Sequence, residues 1–310
     1  LEICGVHFLG MARADNTRFG AAKGWLDESS LPALAPEPPR RADDVAMAGH
    51  GPARERWPAK RIAAVEALWG AGFTGPGGPP ETLRLAKPLG LHADIRLLLV
   101  GGGLGGPAEA IAENYGSAVM GYESDPELLR MSAARHAQHS QARQFVDAAW
   151  DPAAPEFKPR SANHALSLEA LRGARLPGFI RGMAAALLPK GGIVVTELVT
   201  EQDPPDNDRE FSAWCRLEHR QPNLPREAEV TQALSRLCFD VRLVEDLSDR
   251  HVNATLAGWR AAVKIMEEGP KPDPASAGAF VTEAELWLLR IRLMRRLGLR
   301  LLRWHAVGMA

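Results

Sequence analysis

Residues 95–125 constrain this chain more than any other stretch. Ile95-Arg-Leu-Leu-Leu-Val100 is an almost unbroken apolar run, the pattern of a strand buried on both faces. It leads directly into Gly101-Gly-Gly-Leu-Gly-Gly106 and then Pro107, a residue type that opens helices. Glycines allow the sharp turn and let a ligand approach backbone where a Cβ would stand in the way. The helix that follows offers the free N–H groups of its first turn to a polar or anionic group. A second short apolar strand, 118–122, ends in Glu123, and a carboxylate at that point suits the two ribose hydroxyls of an adenosine. The stretch reads as a strand–turn–helix–strand unit that holds a nucleotide-type cofactor.

Gly101, Gly103 and Gly106 satisfy G-x-G-x-x-G, a pattern shared by NAD, FAD and S-adenosylmethionine (SAM) proteins, so the rest of the chain must decide. At 310 residues there is length for one elaborated α/β domain or two small ones. The formal charge is −1 with the signs well mixed, and no basic tract points to nucleic acid. Cys4, Cys215 and Cys238 are odd in number and far apart, which indicates neither a disulfide framework nor a metal ligand set. No apolar run reaches transmembrane length, and a cytoplasmic protein with reduced thiols is the expectation.

Residues 1–58 read as an N-terminal arm, because Pro32, Pro36, Pro38, Pro39, Pro52 and Pro58 interrupt every would-be element. Trp25 and Leu26 are its candidate anchors. From Ala59 onward Ile62, Val65, Leu68 and Trp69 recur at helical spacing, and Gly70 closes that helix. A glycine-rich loop over 71–80 follows, then a short helix expected over 81–87.

The run Glu66-Ala-Leu-Trp-Gly-Ala-Gly-Phe-Thr-Gly-Pro-Gly-Gly78 resembles the segment before the cofactor strand in small-molecule SAM-dependent methyltransferases of class I, such as the phosphoethanolamine, sarcosine/dimethylglycine and ubiquinone-pathway enzymes. Leu97-Leu-Leu-Val-Gly-Gly-Gly-Leu-Gly-Gly106 and Gly121-Tyr-Glu-Ser-Asp-Pro-Glu-Leu128 are similar to that family's first two motifs. The likeness spans roughly residues 59–308. It implies a Rossmann-like α/β fold: a seven-stranded, mostly parallel sheet with an antiparallel last strand and helices on both faces. It further implies SAM as cofactor, held by Gly101, Gly103, Gly105 and Glu123, with Asp151 at the adenine amino group and Trp150 stacked on the ring or packed in the core.

The order of elements agrees with that resemblance. Asp125-Pro126 caps a helix to about residue 137, and strands are expected over 144–151, 165–168, 193–197, 239–244 and 299–307. The segments 200–230 and 250–280 read as lid insertions over a small-molecule acceptor. Glu169 and Glu197 at strand ends, and His219 on the lid, are the candidate catalytic bases, needed only if the acceptor arrives protonated. Residues 269–278 read as a linker. A helix over 282–297 carries Arg290, Arg292, Arg295 and Arg296 largely away from a leucine stripe, a basic face that, like the N-terminal arm, is a candidate protein-partner surface.

Three positions depart from the family's pattern. Leu99 stands where an acid usually orients the cofactor's methionine end, Asn163 where an acid opens strand four, and Pro189-Lys190 reverses a Lys-Pro pair. They support one reading beside SAM-dependent transfer to a small molecule, a degenerate descendant serving as a binding or scaffold subunit. The glycine fingerprint keeps another, a nicotinamide-dependent dehydrogenase, for which the second half of the chain offers no match.

Overall fold

The computed structural model describes residues 56–205 and 207–309. The N-terminal arm apart from its last three residues, and with it Trp25 and Leu26, lies outside the described residues. From Ala59 to Ala310 the chain forms one compact unit.

Seven strands form one sheet: β1 Arg96–Val100, β2 Ala118–Glu123, β3 Phe145–Ala149, β4 His164–Leu168, β5 Gly192–Val199, β6 Phe239–Asp246 and β7 Arg300–Gly308. Their order is β3-β2-β1-β4-β5-β7-β6. The first five pair in parallel, with Leu99 beside Gly121 on one flank and Leu166 on the other. The last strand, β7, inserts antiparallel between β5 and β6, from Gly192↔Val307 to Val199↔Arg300. The expected sheet is therefore present, and its order reverses between β1 and β4, where ligands of open α/β sheets bind beyond the carboxyl ends of the strands.

The connections are helices: α1 Ala59–Trp69, α2 Gly78–Ala86, α3 Gly106–Tyr115, α4 Pro126–Gln138, α5 Leu176–Ala186, α6 Arg209–Glu218, α7 Glu227–Arg236, α8 Ser248–Glu268 and α9 Pro274–Arg296. Alternation along β1 divides the core. Leu97 and Leu99 pack with Ile111 of α3, Trp214 of α6 and Leu293 of α9, whereas Leu98 and Val100 pack with Phe179 and Ile180 of α5 and Val230 of α7. All four β1 leucine and valine side chains are fully buried, and each such burial is worth about 1.5–3 kcal/mol. Both faces of the strand are thus covered, as its continuous apolar run requires.

Three expectations need correction. The short helix α2 begins at Gly78, not Glu81, because Pro79 and Pro80 sit in its first turn, where their missing N–H groups cost nothing. Only the first half of the linker over 269–278 is non-helical: Asp273 accepts hydrogen bonds from Ala275 N and Ser276 N, Pro274 opens the helix, and α9 runs 23 residues. The basic face of α9 is smaller than expected: it loses Arg290 but keeps Arg292, Arg295 and Arg296 exposed. Arg290 points inward and is 1% exposed, while Arg292 pairs with Glu210 at 3.3 Å and Arg296 with Asp208 at 2.7 Å. Among the described residues no helix is long and apolar enough to cross a membrane.

Candidate functional site

The turn between β1 and α3 is built on glycines held at positive φ: Gly101 at 81°, Gly103 at 61° and Gly105 at 96°. Side chains there would be strained and also obstructed. A Cβ on Gly101 would lie 2.6 Å from Leu168 O, and one on Gly103 would lie 2.8 Å from Thr74 Oγ1. Thr74 belongs to the glycine-rich loop after α1, which closes over the turn. Gly106 N donates to Gly72 O at 2.9 Å, and Gly72 N donates to Glu66 Oε1 at 2.7 Å. The same Glu66 oxygen accepts from Arg135 of α4 at 2.5 Å. Neither Glu66 nor Arg135 can be singled out from sequence, since their partnership spans 69 positions.

Glu123 stands at the end of β2 with its carboxylate turned back to that turn. Its Oε2 accepts from Gly103 N at 3.1 Å, and its Oε1 from Ser124 N at 2.8 Å and Asp125 N at 3.2 Å. Burial pushes its carboxyl above the ordinary 4.5, against the pull of those three N–H groups and the Arg172 charge. Asp151 lies just past β3, exposed, with Oδ1 accepting from Ala153 N at 2.8 Å. Trp150 is turned away from solvent into the core, its ring tilted against Phe157 at 5.7 Å and Phe179 at 5.4 Å.

At the carboxyl ends of β4 and β5 lies a largely buried cluster of three glutamates and three arginines. Glu169, itself at φ 47°, accepts from Arg290 Nη2 at 2.5 Å. Arg290 also donates to Glu218 at 3.0 Å, and Glu218 lies 3.7 Å from Arg172. Glu197 is fully buried and accepts from Leu171 N, Leu198 N and Arg220 Nη2. Arg220 packs over Trp214 at 5.1 Å and Arg290 over Trp287 at 5.3 Å. Burial acts to raise the Glu169 carboxyl, yet Arg290, Arg172 and Arg220 together hold it below the ordinary value. In Glu197 burial prevails over Arg220, with the Glu169 charge adding to it, and the carboxyl is raised. Glu169 lies just past β4 as expected, whereas Glu197 lies within β5, which continues to Val199, and each is already engaged with cations. His219 is exposed and ends α6 in the left-handed conformation at φ 51°.

Sequence reasoning misses His251, in the first turn of α8. It is buried, its ring lies 5.8 Å from Trp287, and Nε2 has no hydrogen-bond partner among the described residues. Burial, reinforced by the Arg290 charge, holds it well below the ordinary 6.5 and therefore neutral. The indole of Trp287 approaches within 3.8 Å of a Cβ built on Gly75, which ties this residue group to the loop over the glycine turn.

The departures also find physical accounts. Leu99 is fully buried in the core face shared with Leu166 and Val194. Asn163 does with its amide oxygen what a carboxylate would do, accepting from Arg96 N at 2.9 Å while its backbone N–H donates to Arg96 O at 2.8 Å. It thereby aligns β4 with β1.

No protein-family profile and no curated protein matches the sequence. Solved structures do match in fold. Phosphoethanolamine N-methyltransferase 2 of Haemonchus contortus, in complex with phosphomonomethylethanolamine and S-adenosylhomocysteine, is 20% identical with a TM-score of 0.71 over 83% of this chain. This chain spans only 59% of the length of that protein. A Galdieria sulphuraria protein described as a sarcosine dimethylglycine methyltransferase is 12% identical with a TM-score of 0.65, covering 80% of this chain and 98% of its own. The [4+2]-cyclase SpnF is 17% identical with a TM-score of 0.60, covering 80% and 93%. Together with the strand order and the glycine turn, these likenesses give the architecture: residues 59–310 adopt the fold of the class I SAM-dependent methyltransferases.

Proposed function

We propose that the chain binds SAM and transfers its methyl group to a small-molecule acceptor. One observation carries this reading: a turn of three left-handed glycines faces a strand-end carboxylate, with Glu123 Oε2 3.1 Å from Gly103 N. The residues present fit an adenosine-bearing ligand. Gly101, Gly103 and Gly105 hold a tight left-handed turn packed against Leu168, Thr74 and His136, and Glu123 supplies an acceptor for a ribose hydroxyl. Asp151, exposed beyond β3, is the candidate for the adenine amino group. The solved structures of this fold that hold SAM or S-adenosylhomocysteine support the same choice over a nicotinamide.

When bound, SAM supplies an activated methyl group, so the protein's tasks are to hold the acceptor in line and to exclude water. In this reading α6, α8 and α9 are the lid. Glu169 and Glu197 serve by fixing Arg290 and Arg220 at the strand ends, and the depressed carboxyl of Glu169 makes it a weak base. His251 Nε2 has no partner but is buried, and its lowered pKa makes it, like Glu169, a weak base, so the reading favours an acceptor that arrives already deprotonated. The test has two stages, because the same fold also carries a [4+2]-cyclase. S-adenosylhomocysteine must bind, and incubation with SAM and a small-molecule extract must yield a product heavier by one methylene. Binding without any such product would replace transfer by a non-methylating role.

A further inference from the structure

The imidazole of His136, on α4, is 3% exposed and lies between two acceptors. Its Nδ1 is 2.8 Å and 3.0 Å from the two carboxylate oxygens of Asp147 on β3, and its Nε2 is 3.2 Å from Gly105 O. The ring stacks on Phe145 at 4.2 Å with the planes 11° apart, which fixes its orientation. Ser132 Oγ donates to Asp147 Oδ1 at 2.8 Å and fixes the carboxylate in turn. Gly105 is the residue at which the glycine turn becomes α3; its carbonyl also accepts the first helical bond, from Glu109 N at 3.1 Å. A Cβ on Gly105 would meet Nε2 at 2.8 Å, so this glycine is required by the histidine as well as by its φ.

We propose that His136, donating from both ring nitrogens, is the positioning residue of the glycine turn and through it sets the affinity for the cofactor. The inference rests on the cofactor reading above. A neutral imidazole has one N–H and one lone pair, and here both nitrogens face oxygen. Only the imidazolium satisfies Asp147 and Gly105 together. The charged groups around it are Asp147 on β3, Glu109 on α3, and Arg135 and the titratable His139 on its own helix. Burial works against the cation, but Asp147, Gly105 and Glu109 prevail and its pKa lies above the ordinary 6.5. The clamp is therefore complete below that ordinary value and is lost as pH rises through the elevated one. Losing it releases Gly105 O, two residues from Gly103, whose N–H holds Glu123 Oε2 in place.

The experiment is titration of S-adenosylhomocysteine into the wild-type chain, His136→Gln and Asp147→Asn, from about pH 6 to about pH 8.5. Wild-type affinity is expected to weaken about fivefold across that range, the equivalent of one hydrogen bond. His136→Gln, whose amide donates one bond at every pH, should bind more weakly at the acid end and give a flat profile. Asp147→Asn should flatten it as well. A measurement on the wild type alone guards against a misfolded variant: by linkage, saturation with S-adenosylhomocysteine must raise the His136 titration midpoint seen by NMR. An unmoved midpoint, or the same pH slope in His136→Gln as in the wild type, overturns the proposal while leaving the cofactor reading intact. Failure of the wild type to bind at any pH overturns both.

Discussion

Glu123 is the residue on which the cofactor reading depends most. Its carboxylate already accepts from three backbone N–H groups and from Ser124 Oγ at 3.4 Å, while Oε2, which takes only Gly103 N, keeps one lone-pair direction for a ribose hydroxyl. Charge-assisted hydrogen bonds of this kind are worth about 1.5–3 kcal/mol, so Glu123→Gln should weaken S-adenosylhomocysteine binding about tenfold or more with the fold retained. Calorimetric titration beside circular dichroism checks it; unchanged affinity would move the adenosine elsewhere. The raised Glu123 carboxyl also predicts an acid limit. As pH falls through a value above the ordinary 4.5, protonation removes the acceptor, and affinity should decline there. Leu99 makes the opposite point. The family's usual acid at that position would here be buried among Leu166 and Val194 with no cation, so Leu99→Asp should cost at least about 3 kcal/mol in urea unfolding.

At the scale of elements, α9 controls how the inserted helices meet the sheet. It carries Arg290 to the end of β4 and to Glu218 of α6, and its leucines close the core face over Leu97 and Leu99. Arg290→Ala would take from Glu169 and Glu218 their shortest ion pairs, leaving only the more distant Arg172 and Arg220 to offset them. Removal of one partner of a buried pair costs about 3–5 kcal/mol, a loss that thermal or urea unfolding would register. A change below about 1 kcal/mol would mean that water reaches the cluster. The helix also marks the edge of what a sequence can tell. Its leucine stripe is legible from spacing, but Ala275-Ser-Ala-Gly278 looks like linker unless Asp273 and Pro274 are recognised as its cap. Charge ordinarily stays on a solvated face, and only the glutamates brought by β4 and α6 make the inward Arg290 tolerable. Trp150 raises the same difficulty, since stacking on a ligand and packing on Phe179 leave identical traces in sequence.

For the molecule as a whole, sequence speaks most clearly where chemistry is local. The buried β1 run, the glycine turn, Asp125 capping α4 and Glu123 at a strand end each follow from a few adjacent residues, and they suffice to set β1 beside β2 and the ligand crevice at their carboxyl ends. The network behind that crevice is not legible, because Glu66 to Gly72 and Arg135, or His136 to Asp147 and Gly105, are juxtapositions created by folding. Function depends on both layers, since the turn fits a nucleoside only if its supports hold it open. The most direct test of that account is the melting temperature of the chain with S-adenosylhomocysteine and, in parallel, with NAD. At a hundred times its dissociation constant a ligand stabilises the folded state by about 2.7 kcal/mol, a rise of roughly 5–10 °C for a domain of this size. The account predicts that rise with S-adenosylhomocysteine and none with NAD. A rise with NAD alone, or no rise with either at millimolar concentration, would contradict it.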